Sequence, residues 1–127
     1  MLALPNPNNV LPRLGCLLNG LLTLSTGRIG LFLYVSADNG TSWRGLDIAL
    51  NHNVLTAGVQ DRYSEAFVRG AGDSTMSTSY TSLVAYAGTN NVQVCYDRLA
   101  NGWDRAPGSY GNSTAVFCSK FSLAAAK

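Results

Sequence analysis

Apolar and polar positions in this chain alternate with a period of two, in short runs separated by turn residues. The runs "RLGCLL" and "LLTLS" flank Asn19-Gly20, a pair suited to a type I′ hairpin because both central residues of that turn take positive φ. The pattern predicts a β-hairpin over residues 13–25. Beyond Gly27, "LFLYVS" at 31–36 and "WRGLDIAL" at 43–50 read as two further strands in meander order. Together they predict one antiparallel four-stranded sheet from about residue 12 to 50.

Residues 51–79 are polar, hold Gly58, Gly70 and Gly72, and show no sustained period, so they read as a long surface connection in which "SEAFV" at 64–68 is a candidate short strand. Strand signals resume with "SYTSLVAYA" at 79–87, a turn at Gly88 to Asn91, and "VQVCYD" at 92–97. After the loop "ANGWDRAPGSYGNS" the alternation returns in "TAVFCSKFSL" at 114–123. The expected fold class is all-β, with seven or eight strands and no helix.

Composition adds bounds to this picture. At 127 residues and 46% apolar, the chain suits one domain with a real core. Nine basic and seven acidic residues without a Lys/Arg cluster give no electrostatic footprint for nucleic acid or an anionic membrane, so neither is an expected partner. The start "MLALPNPNNV" lacks a basic segment and meets Pro5 and Pro7 early, and "LLNGLLTL" is broken by Asn19 and Gly20, so neither a signal peptide nor a membrane span is expected. Cytoplasmic location is the default that follows.

Cys16, Cys95 and Cys118 form no CxxC pair and accompany a single His, which argues against zinc, and no cofactor is implied. They read as small buried apolar residues; their odd number fits either a reducing compartment or one bridge plus a free thiol.

One stretch carries more information. Ser36, Asp38, Gly40 and Trp43 spell S-x-D-x-G-x-x-W, with Thr41 and Ser42 in the turn. An Asp in a tight turn accepts from backbone N–H groups a few residues on, Gly supplies positive φ, and a Trp opening the next strand covers the turn while its indole N–H finds a partner. This pattern resembles the Asp-box, or bacterial neuraminidase repeat, of sialidases and related six-bladed β-propellers. The segments "LLNGLLTLSTGR" and "SYTSLVAYAGTNNVQVCYDRL" resemble other parts of the same family, and the likeness covers most of residues 12 to 121 apart from 51–77.

The resemblance implies antiparallel propeller-blade sheets: a first blade at about 12–50 with the Asp-box, a connection at 51–78 and a second, incomplete blade at 79–123. It implies that the box is structural and lies away from the substrate pocket. It places Arg28 where the family keeps the third arginine of its carboxylate-binding triad, a role that suits a planar bidentate donor. Tyr80, in "YTSL", falls at the family's nucleophilic tyrosine, a residue type that the negatively charged substrate repels less than a carboxylate. A phenol with an ordinary pKa of about 10 needs a base beside it.

The family's first two arginines, its acid/base aspartate and its activating glutamate have no counterpart here, and Glu65 stands in the wrong place in chain order. His52, Asp61, Arg62, Asp97 and Arg98 read as solvated loop residues or local ion pairs. Asn39 and Asn112 open glycosylation sequons that matter only in an exported chain.

Blades of about 40–45 residues leave room for fewer than three in 127 residues, whereas a propeller needs four to eight to close. Exposed strand edges are an aggregation hazard. A homo-oligomer is therefore the expected state, a trimer completing a six-bladed ring, with a relaxed monomeric sandwich or a fragment as the other routes. The expected function is binding of a carboxylate-bearing sugar without turnover; exo-sialidase activity and a ligand-free structural module are the alternatives.

Overall fold

The structure, a computed structural model, describes residues 10–27, 30–56, 62–65, 67–68, 76–99 and 115–124. Among these residues it is all-β apart from one short helix. Strands β1 (Val10–Cys16), β2 (Leu22–Gly27), β3 (Leu31–Ser36) and β4 (Arg44–Asp47) form an antiparallel four-stranded meander. Strands β5 (Ser82–Ala85), β6 (Asn91–Arg98) and β7 (Ala115–Ser122) form a three-stranded antiparallel sheet.

The hairpin expected at Asn19-Gly20 is present, but its turn differs from type I′. Gly20 takes φ 78 while Asn19 is absent from the residues at positive φ. Leu17 N–H donates to Leu21 O and Gly20 N–H to Leu17 O, both at 3.0 Å, which closes a three-residue loop with glycine in the left-handed position. The reason is tertiary. Asn19 N–H donates to Asn90 Oδ1 at 3.1 Å and its side-chain Nδ2 to Leu123 O at 3.1 Å, so Asn19 ties the turn to the other sheet.

The two sheets pack face to face. Period-two alternation along each strand sends one set of side chains to that interface. Ser25 Oγ lies 2.9 Å from Thr81 Oγ1 across it, and a Cβ at Gly15 would stand 2.8 Å from Leu83 Cδ2. Leu31 and Leu33 of β3 meet Val92, Val94 and Tyr96 of β6 in one buried core.

A helix, α1 (Ile48–Leu55), replaces the second half of the strand expected at 43–50. Asp47 ends β4 in extended geometry and accepts from Leu50 N–H at 2.8 Å, a side-chain cap that turns the chain into a helix. The buried positions Ile48, Ala49, His52 and Asn53 lie four apart, on one helical face. The expectation of no helix is thus corrected: "LDIAL" reads as a strand only when its capping aspartate is overlooked.

The connection after α1 is not simply a surface loop. Tyr63, Phe67 and Val68 are buried in the core. Asn53 holds this segment by donating from Nδ2 to Tyr63 O and accepting from Tyr63 N–H, both at 2.8 Å. Phe67 and Val68 N–H both donate to Ser64 O, so the candidate strand at 64–68 is a helical turn where described.

The cysteines also differ from expectation. Cys95 and Cys118 face each other in the β6–β7 register and are bonded as a disulfide, and Cys16 is free and exposed. Of the two alternatives, the chain has one bridge plus a free thiol.

Candidate functional site

Ser36, Asp38, Gly40, Ser42 and Trp43 close the β3–β4 turn through bonds confined to a few positions. Ser36 Oγ donates to Asp38 Oδ1 at 2.8 Å and accepts from Gly40 N–H at 2.8 Å. Asp38 accepts from Ser42 N–H at 2.7 Å and from Ser42 Oγ at 2.6 Å. Asn39 and Gly40 take φ 55 and φ 85, and Trp43 Nε1 donates to Gly40 O at 3.1 Å. The Ser42 hydroxyl, then the Ser42 N–H and the Ser36 hydroxyl, hold the Asp38 carboxyl down to about 2. Every donor the turn directs at Asp38 serves the turn itself.

Beside it lies an open pocket of about 240 Å³ lined by Leu21, Val35, Ala37, Asp38, Ser42, Arg44 and Ala124. Arg44, exposed at the start of β4, is a cation that no motif in the sequence singles out.

Tyr80 precedes β5 and is 48% exposed. It opens onto a pocket of about 300 Å³ formed with Thr78, Thr81, Ser82, Cys95, Tyr96, Asp97 and Val116. Asp97 supplies the one charged side chain among these. Its carboxylate accepts from Ser77 Oγ at 2.6 Å and from Thr78 N–H at 3.0 Å, which fixes the segment leading to Tyr80. Asp97 is therefore a half-buried anchor and not a solvated loop residue.

The same segment carries a distorted residue. Ser79 takes φ 63, a left-handed conformation unusual outside glycine, and its Oγ is the one buried side-chain polar atom among the described residues without a hydrogen-bond partner. Gly27 packs directly against Ser79, and a Cβ at residue 27 would lie 2.8 Å from Ser79 Cα. Arg28 and Asp61 lie outside the described residues. What the structure does bring together is the pair of backbone positions that immediately precede Arg28 and Tyr80 in sequence.

His52 is 2% exposed on α1 rather than solvated. Its Nδ1 lies 3.2 Å from Tyr96 Oη, which lies 3.0 Å from Ser119 Oγ, and its ring packs edge-on against Tyr63 and Phe117. Burial raises the Tyr96 and Tyr63 hydroxyls above the usual phenol range. Arg98 is likewise buried, donating from Nε to Arg62 O at 3.1 Å and lying 5.8 Å from the Tyr63 ring centre. These long-range pairings leave no local trace in the sequence, so His52 and Arg98 looked like loop residues. Glu65 is exposed. Among the described residues no cluster of His, Cys, Asp and Glu is placed to hold a metal ion.

No family model, no curated protein and no solved structure matches this chain.

Proposed function

We propose that this chain is a sialidase-like propeller unit that associates with other copies of itself and binds a carboxylate-bearing sugar without turning it over. The observation that carries the reading is the Asp-box turn, with its Ser36–Asp38–Ser42 bonds, lying between the third and fourth strands of a four-stranded meander. On this reading the four-stranded sheet is a blade and the three-stranded sheet an incomplete one, and three copies around one axis supply six sheets.

The Tyr80 pocket is the sugar site. Tyr80 offers an aromatic face and a hydroxyl, and Asp97 offers a fixed acceptor for sugar hydroxyls. Asp97 is the wrong charge for the sugar's carboxylate, which falls to Arg28. Binding without turnover follows because the Asp97 carboxylate is engaged by Ser77 and Thr78, so it is a poor base for Tyr80.

The test is equilibrium binding of a sialic-acid-type sugar together with hydrolysis of a fluorogenic sialoside. The expected result is binding lost in Arg28→Ala and weakened in Tyr80→Phe, with no hydrolysis. Hydrolysis abolished by Tyr80→Phe would establish the exo-sialidase reading instead, and absence of any binding would leave the structural module.

A further inference from the structure

The outer face of the three-stranded sheet carries an arrangement that borders the Tyr80 pocket through Cys95. Val92, Val94 and Tyr96 of β6 point into the core, so Gln93, Cys95 and Asp97 point outward. Opposite them on β7, Lys120 pairs with Gln93, Cys118 with Cys95, and Val116 with Asp97. The Cys95–Cys118 bond therefore crosses the outer face, with Cys118 exposed.

The groups around this bond are ordered. Gln93 Nε2 donates to Cys95 Sγ at 3.6 Å. Tyr86 Oη donates to Gln93 Oε1 at 2.7 Å, which fixes which end of the amide faces the sulfur. Lys120 Nζ lies 5.0 Å from the centre of the Tyr86 ring, so its charge is held over the same cluster. On the other side, Asp97 has its carboxylate turned to Ser77 and Thr78.

An amide donor favours a thiolate over a neutral sulfur, and a disulfide opens more readily toward the sulfur that leaves as the more stable thiolate. We infer that Cys95–Cys118 is a reversible thiol-exchange site at which a small thiol of the glutathione class attacks Cys118. The incoming thiolate forms a bond to Cys118 Sγ, and the electron pair of the Cys95–Cys118 bond departs with Cys95 as a thiolate. The product is a mixed disulfide on Cys118 and a Cys95 thiolate accepting from Gln93. A second thiol releases Cys118 as a free thiol and is itself oxidised to the symmetric disulfide.

The sheet survives this step because the cysteine pair is one of eight in the β6–β7 register. With Cα atoms 4.0 Å apart, the Cys95 thiolate stays beside the mixed disulfide and can reverse the reaction. Val116, which lines the Tyr80 pocket, lies two residues along the same face, so the adduct stands next to that pocket.

The experiment is exposure of the folded full-length chain to reduced glutathione without denaturant, quenched with iodoacetamide and mapped by peptide mass, with circular dichroism in parallel. The expected first product keeps its strand signal and, once quenched, carries glutathione on Cys118 and the alkyl group on Cys95; in an unquenched sample, removal of free glutathione by desalting lets the Cys95 thiolate displace it from Cys118 and restores the disulfide. Gln93→Leu is expected to slow the reaction about fivefold, the worth of one hydrogen bond. Should Gln93→Leu fail to fold, Tyr86→Phe removes the hydroxyl that positions Gln93 and is expected to slow exchange in the same direction. Reaction only in denaturant, loss of strand signal together with reduction, glutathione on Cys95, or an unchanged rate in the variant would each overturn the assignment.

Discussion

Gly27, the last residue of β2, lies so close to Ser79 that an added Cβ would meet Ser79 O, Cα and Cβ, the last two at 2.8 Å. Two of these obstacles are backbone and cannot rotate away. The contact joins the four-stranded sheet to the segment that presents Tyr80. Gly27→Ala is therefore expected to lower stability by about 2 kcal/mol through overpacking and to disturb the Tyr80 pocket. Urea unfolding of the two proteins checks the first effect; an unchanged midpoint would show that the two elements are less closely apposed.

Ser79, on the other side of that contact, combines a left-handed backbone with an unpartnered buried hydroxyl. Ser79→Gly removes both penalties, against a smaller entropic cost in the unfolded chain. A net gain of about 1 kcal/mol is expected from the same unfolding measurement. A destabilised variant would mean that the Ser79 hydroxyl has a partner in solution.

Asp38 gives the β3–β4 turn a pH signature. Its carboxyl is held at about 2 when folded, below its ordinary 3.8, first by the Ser42 hydroxyl and then by the Ser42 N–H. A carboxyl held low in the folded state takes up its proton more readily once unfolded. The turn therefore contributes its full stability above about pH 4 and loses it as the pH falls toward 2. Asp38→Asn is expected to give a shallower dependence of the thermal midpoint on pH across that window than the natural chain. Parallel curves would remove Asp38 as the source.

The Ser36–Trp43 turn was legible in the sequence because its bonds span at most four residues, so spacing alone implies geometry. The two sheets were legible for a related reason: their strands pair with sequence neighbours, and alternation is enough to locate them. Helix α1 was not, because Ile48 and Leu50 fit a strand until Asp47 is seen to cap Leu50. Asn19 misled for the opposite reason. Its local preference for a tight turn yields to bonds with Asn90 and Leu123, far along the chain. The surroundings of Tyr80 were equally hidden, since Asp97 reaches Ser77 and Thr78 across about twenty residues.

Self-association is supported by an exposed apolar side chain on the edge strand of the four-stranded sheet: Leu14 is 66% exposed on β1. Light scattering behind a sizing column measures the mass directly. A single species at three times the 13.5 kDa of one chain is expected. A monodisperse species at 13.5 kDa would contradict it, leaving the two packed sheets as a self-sufficient sandwich.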